Sequence, residues 1–131
     1  MIRGALLAAL LAAPAMAAEP MTGAEFRAFS EGWTLHFRNE SGEYFGSEQY
    51  FPDGRTVWAP TGGRCRQGLW AEDQDRICFL YDIGISCWLL FPEGAEGVYA
   101  ESADEEGPPT TRLWLMRRDQ SPVLCPEEPG V

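Results

Sequence analysis

The sequence predicts a single, mainly β domain of about eight antiparallel strands, folded as a small barrel or a sandwich, with one short N-terminal helix and two disulfides. Short β-type segments recur at nearly even spacing between residues 33 and 117. Loops of hairpin length, rich in glycine, proline, asparagine and aspartate, separate them. This spacing is typical of an antiparallel meander.

The helix is predicted over residues 22–31. Thr22 and Glu25 have the spacing of a capping box, in which each side chain accepts a hydrogen bond from the other residue's backbone N–H. Phe26 and Phe29 fall on one face, and Gly32 suits the C-terminal end. Because so short a helix is not stable alone, we expect both phenylalanines to pack against another element in the core.

The strands are predicted from alternation and from the turns that bound them. A tail with three prolines, residues 118–131, follows the last strand and is predicted to be irregular. The predicted strands are residues 33–38, 43–51, 55–59, 64–71, 76–81, 86–91, 98–101 and 111–117.

The first residues predict a secretory signal peptide, residues 1–17. Arg3 precedes an apolar run over residues 4–13, and small residues at 15 and 17 fit a signal peptidase site. The apolar run is shorter than the roughly 20 residues that span a bilayer, so we expect no membrane insertion. Residues 18–131 would then form one exported domain, periplasmic or secreted.

The composition is strongly acidic. Twenty acidic residues face ten basic ones, all of them arginine, and the formal net charge is −10. Nucleic-acid and anionic-lipid binding need a basic patch, so the sequence predicts neither. A basic protein partner is compatible with this charge. The acidic clusters at residues 72–75, 104–106 and 127–128 are expected in solvated loops or tail.

The four cysteines predict two disulfides. Their spacing contains no Cys-x-x-Cys pair and the chain has one histidine, so neither a zinc site nor a dithiol redox site is expected. In an exported chain, four cysteines of this kind are typical of two bridges. The cysteines are Cys65, Cys78, Cys87 and Cys125.

One bridge follows from hairpin register. A four-residue loop at 81–84 pairs Leu80 with Ile85, which places Cys78 opposite Cys87. Directly opposed residues of antiparallel strands have Cα atoms about 4.5–5.5 Å apart, within reach of a disulfide. We therefore expect a Cys78–Cys87 bridge across the hairpin.

The second bridge follows from the preceding turn. If the acidic turn at 72–75 pairs Ala71 with Arg76, Cys65 does not fall opposite Cys78. The remaining pairing is Cys65 with Cys125, which would fasten the tail to the sheet. Closing so long a loop would contribute about 2–4 kcal/mol of stability.

No catalytic constellation is apparent. The only histidine, His36, alternates with Trp33, Leu35 and Phe37 and is expected on the solvated face of its strand. No thiol remains free if both bridges form, and no phosphate-binding or dinucleotide motif occurs. We therefore expect no catalytic residue, no metal and no cofactor.

Glu48 is the one carboxylate predicted to face inward. The turn at 52–54 places Glu48 opposite Trp58, on the same face as Tyr44 and Tyr50. This face is either core or the wall of a cavity, and Glu48, Tyr50 and Trp58 are the candidate ligand-cavity residues.

A buried carboxyl at this position has two expected environments. Its pKa is raised, or an arginine such as Arg64 or Arg66 pairs with it. It is either a structural group or a polar contact for a ligand, and an enzyme using Glu48 is a third, weaker hypothesis.

Short patterns spread over the chain resemble one family. They are residues 44–46 (YFG) with Glu48 and Tyr50, 57–58 (VW), 65–70 (CRQGLW), 77–81 (ICFLY), 87–88 (CW) and 125–126 (CP). Together they resemble a family of small uncharacterised exported proteins of alphaproteobacteria. The resemblance covers nearly all of residues 18–131 and implies export, but no activity or ligand.

Two functions from different classes are expected. The first is a non-enzymatic periplasmic or secreted domain that binds an unknown protein or small-molecule ligand. The alternative is an acidic inhibitor of a basic cell-wall enzyme such as lysozyme, or of a secreted protease. The architecture is similar to that of bacterial inhibitors of these enzymes, which is an analogy of fold alone.

Overall fold

The structure, a computed structural model, describes residues 9, 11, 18–104 and 106–126. The predicted signal peptide and acidic cluster 127–128 lie almost entirely outside the described residues. In the described part of the chain, eight antiparallel strands close into a barrel, each paired with the next and the last with the first. The predicted mainly β meander is confirmed, as a barrel and not a sandwich. The elements are α1 Gly23–Ser30, β1 Thr34–Arg38, β2 Tyr44–Tyr50, β3 Arg55–Pro60, β4 Arg66–Asp73, β5 Arg76–Tyr81, β6 Gly84–Glu93, β7 Gly97–Ser102 and β8 Arg112–Asp119.

Helix α1 plugs one end of the barrel. The capping box of Thr22 and Glu25 is present as predicted. Phe26 is fully buried, and its ring meets three barrel rings edge-on at centroid distances of 5.0–6.5 Å, those of Tyr50, Trp70 and Phe79. We call this the closed end and the opposite end the open end. No helix among the described residues is long and apolar enough to cross a bilayer.

The hairpin of β5 and β6 has the predicted register. Leu80 pairs with Ile85, and Cys78 pairs with Cys87 across a Cα–Cα distance of 4.0 Å. The disulfide between them is confirmed. The loop is tighter than expected, because Tyr81 also pairs with Gly84 and only two residues remain unpaired.

The turn between β4 and β5 differs from its prediction. Ala71 pairs with Cys78 and not with Arg76, because Asp73 and Arg76 are the last pair. Gln74 adopts a left-handed backbone conformation with φ 58°, which permits a turn of two residues. The Arg76 guanidinium donates to the Asp73 carboxylate at 2.6 Å across this turn.

In two of the acidic clusters the described residues are exposed, as predicted, and each cluster also provides one acceptor for a backbone N–H. Glu72 belongs to β4 and accepts a hydrogen bond from the backbone N–H of Gly23, at the N-terminus of α1. Asp104 accepts one from the backbone N–H of Cys87. Part of the negative charge therefore satisfies backbone donors.

The tail is fastened to the outside of the barrel. Strand β8 extends two residues beyond its prediction, to Asp119. Beyond it, Cys65 and Cys125 form the predicted second disulfide, with a Cα–Cα distance of 5.5 Å. Two hydrogen bonds also hold the segment: Thr34 Oγ1 to Ser121 O at 2.6 Å, and Val123 N to Gln49 Oε1 at 3.1 Å.

Candidate functional site

A cavity of about 280 Å³ occupies the barrel interior beyond the plug. Tyr50 and Phe79, which pack on Phe26, line it towards the closed end. Phe45 and the 70% exposed Ile83 line it near the open end. A cavity of about 150 Å³ takes up benzene, so this one has room for roughly one or two rings.

The three predicted cavity residues are brought together. Glu48 and Tyr50 are 4% and 3% exposed, and both line the cavity with Trp58. The register is the predicted one, with Glu48 opposite Trp58 and Tyr50 opposite Thr56. The turn at residues 52–54 and the alternation of side chains along β2 and β3 were therefore sufficient to predict that this face lies inside the barrel.

Tyr44 does not share that face, contrary to its prediction. The β1–β2 register shifts, since Phe37 pairs with Gly46 but Arg38 pairs with Tyr44. The extra residue, Phe45, forms a β-bulge, and a bulge reverses the side-chain alternation. Tyr44 is consequently 45% exposed, whereas Phe45 lines the cavity.

Glu48 is held by a tyrosine and not by an arginine. The Tyr81 hydroxyl donates to Glu48 Oε1 at 2.6 Å. Arg64 is exposed, and Arg66 lines the cavity while pairing with Asp82 at 3.1 Å. Of the two predicted environments for the carboxyl, the structure has the one without an arginine partner.

Burial dominates the electrostatics of this carboxyl. Desolvation raises the pKa of Glu48 from 4.5 to about 7, although the hydrogen bond from Tyr81 acts in the opposite direction. The neighbouring Thr56 hydroxyl also lowers this pKa, but its geometry falls short of an ordinary hydrogen bond. We therefore count Tyr81 as the partner. Burial, followed by the charge of Glu48, raises the pKa of Tyr50.

Two glycines make room for the aromatic walls. A Cβ atom on Gly46 would lie 2.5 Å from the Trp58 indole, and one on Gly68 would lie 2.7 Å from the Tyr81 ring. Real Cβ atoms do not approach other atoms so closely, so any side chain here would displace the ring. The sequence pattern did not predict the role of either glycine. A glycine inside a strand was the available signal, because it often marks a place where another group approaches closely.

His36 lies on the outside but is not solvated. Its Nδ1 is 2.6 Å from Ser47 Oγ and its Nε2 is 2.9 Å from Asp119 Oδ2. The side chain is only 13% exposed, so the predicted solvated position is wrong. Barrel closure brings the end of β8 against β1, which covers the imidazole.

The Ser47, His36 and Asp119 cluster has the residue types of a catalytic triad without its surroundings. Ser47 is 3% exposed, and its Oγ also contacts the Tyr44 hydroxyl. At Ser47, strand β2 is paired on both sides, so the backbone N–H groups beside its hydroxyl lie in the sheet ladder and not where an oxyanion hole would need them. We assign the cluster a structural role, joining β1, β2 and β8.

The described lining of the cavity contains no pair of carboxylates. Among the described residues that line it, Glu48 is the only carboxylate and Arg66 the only cation. A hydrolytic carboxylate pair needs a second acidic group nearby. No group of three or more potential metal ligands occurs among the described residues.

Comparison with known proteins finds no match among family models, curated proteins or solved structures. The resemblance to exported alphaproteobacterial proteins therefore stays a prediction. The fold and the site define the class: a disulfide-bonded, eight-stranded antiparallel barrel with one plugged end and an aromatic cavity.

Proposed function

We propose that this protein is a non-enzymatic periplasmic or secreted binding domain, and that its barrel takes up a small, mainly apolar ring compound. The observation that carries the proposal is the aromatic cavity of about 280 Å³. Ligand sites are typically concave and apolar, with a few polar groups that orient the ligand. The two disulfides support a compartment outside the cytoplasm.

The shape of the cavity supports a small molecule as the ligand. The ring of Phe26 closes one end, so a long chain could not thread through the barrel. The walls include Trp58, Tyr81 and Trp88, whose flat faces suit an aromatic ring. Glu48 would then orient one polar group of the ligand.

Saturation-transfer NMR with 2-phenylethanol as the probe tests this proposal. We expect transfer from the wild-type protein and its loss in Ala100→Leu, because Ala100 is 4% exposed and lines the cavity. The matched control is Ala71→Leu, the same change at an exposed position on β4. Loss in both variants, or in neither, would contradict binding inside the barrel, provided that both variants melt cooperatively.

The inhibitor hypothesis rests on the net charge of −10. Glu72 and Asp104 contribute to that charge, but both carboxylates already accept hydrogen bonds from backbone N–H groups, so they are less available for direct contacts with a partner. A lysozyme assay with added protein tests this alternative, and dose-dependent inhibition would favour it over small-molecule binding.

A further inference from the structure

Resting on the proposed function, we propose that the cavity selects organic cations: small aromatic or aliphatic amines whose ammonium group pairs with Glu48 while the apolar part lies among the aromatic rings. The inference goes beyond uptake of apolar rings, because it names the charge of the ligand. It rests on the placement of one carboxyl, on the rings around it and on the distribution of charge.

The first support is the carboxyl itself. Glu48 lines the cavity at 4% exposure, and among the described residues the groups that act on its carboxyl are Tyr81 and Thr56, neither of which is a cation. Tyr81 occupies Oε1, and a carboxylate accepts hydrogen bonds on both oxygens, so Oε2 has capacity for a ligand donor. An ionised carboxylate in an apolar site is costly unless a cation pairs with it. A ligand ammonium would supply that cation.

The second support is the aromatic wall. Tryptophan and tyrosine faces attract cations through the ring quadrupole, by about 2 kcal/mol or more in desolvated sites. Trp58, Tyr81 and Trp88 line the same cavity as the carboxyl. Gly46 and Gly68 have no side chains and so leave the space that the rings of Trp58 and Tyr81 occupy. Carboxylate and rings together thus favour a cation over a neutral molecule.

The third support is the charge at the entrance. Arg66 would repel a cation, but Asp82 pairs with it at 3.1 Å and cancels its charge. The whole chain carries a formal charge of −10, which attracts cations over longer distances. A carboxylate ligand would be repelled by this net negative charge at long range, and by the Glu48 carboxylate inside the cavity.

The proposal has a consequence for pH dependence. Tyr50 on its own strand, Thr56 on β3 and Tyr81 on β5 lie next to Glu48, and Arg66 on β4 lines the same cavity. Burial raises the pKa values of Tyr50 and Tyr81, so neither hydroxyl ionises near neutrality. Glu48, with a pKa of about 7, is then the group whose ionisation controls amine binding.

Isothermal titration calorimetry with three probes of matched shape tests the proposal: 2-phenylethylamine, 2-phenylethanol and 3-phenylpropionate. At pH 8 we expect the amine to bind at least tenfold more tightly than the alcohol, and the carboxylate least tightly. Between pH 8 and pH 5.5 the ionised fraction of Glu48 falls from about 0.9 to about 0.03, so amine affinity should fall roughly 30-fold. At pH 7 amine binding should release about half a proton, measured in buffers of different ionisation enthalpy.

Variants separate the carboxyl from the overall charge. Glu48→Gln should bind the amine no better than the alcohol, without pH dependence. The control is Glu31→Gln, the same charge change at an exposed position at the closed end, and it should behave as the wild type does. Equal or greater loss in the control would overturn the proposal.

The remaining outcomes distinguish the proposal of cation selectivity from the proposed function, which is the binding of a small ring compound. If the wild type binds the alcohol and the amine equally, the cation proposal is wrong and the proposed function stands. If the carboxylate binds best, the proposal is wrong and Arg66 is the ligand-orienting group. If no probe binds the wild type, the cation proposal and uptake of small ring compounds are both contradicted.

Discussion

Replacing Glu48 by glutamine should remove a pH-dependent loss of stability. The folded-state pKa of about 7 lies above the ordinary 4.5, so the folded protein holds this proton more tightly than the unfolded chain. Ionisation therefore destabilises the fold as pH rises; the penalty is absent below about pH 4.5 and complete above about pH 7. At 1.36 kcal/mol per pKa unit, it amounts to roughly 3 kcal/mol, most of it between pH 5 and pH 8.

Urea denaturation of both proteins across pH 5–8, followed by tryptophan fluorescence, measures this difference. Glutamine keeps the shape and can still accept from Tyr81, so the variant should be close to the wild type at pH 5 and more stable at pH 8. Other titrating groups are present in both proteins and cancel in the difference. A difference that stays constant from pH 5 to pH 8 would refute the assignment of Glu48 as a buried group with a raised pKa.

Three further variants test the plug, the cavity wall and the attachment of the tail. Phe26→Ala should remove the plug and cost about 3–5 kcal/mol of stability in urea denaturation; a loss below 1 kcal/mol would contradict the plug. Gly46→Ala should push Trp58 aside and weaken 2-phenylethanol binding in calorimetric titration, whereas unchanged affinity would place the ligand elsewhere. Replacing Cys65 and Cys125 by alanine should free the tail for limited proteolysis at a cost of about 2–4 kcal/mol; a protected tail would contradict its attachment by the disulfide.

The side chains of β2 and β3 that face the barrel interior were predictable from the sequence. The two features that place them, the turn between the strands and the alternation along each strand, are both local. The short turn at 52–54 fixes which residues oppose each other, and alternation then places Glu48 and Tyr50 inside. The same reasoning placed Cys78 opposite Cys87. Register read from a turn is correct where the residues predicted to flank the turn do pair, as Phe79–Ser86 and Glu48–Trp58 show.

Two local irregularities were not predictable from alternation. The left-handed backbone of Gln74 shortens the β4–β5 turn, although glutamine is not a residue type that favours this conformation. The bulge at Phe45 reverses the alternation and turns Tyr44 outward. Each irregularity involves a single residue, yet it alters the strand register or the side of the sheet to which neighbouring side chains point.

The partners of the charged residues were missed for a different reason. Tyr81 reaches Glu48 across the barrel interior, from a strand 33 positions away in the chain. Asp119 reaches His36 only because β8 closes on β1. Such contacts depend on barrel closure, and the sequence pattern does not distinguish a closed barrel from a sandwich.

The central claim is that the barrel interior of this protein binds a small molecule, and ¹⁵N chemical-shift mapping with 2-phenylethanol tests it most directly. We expect the largest shifts at the backbone amides of Phe45, Trp58 and Tyr81, whose side chains line the cavity, and little change in α1 at residues 23–25. The shifts should saturate together, with one dissociation constant. Shifts confined to outward-facing residues such as Leu69 and Leu80, or no saturable shift, would contradict the claim.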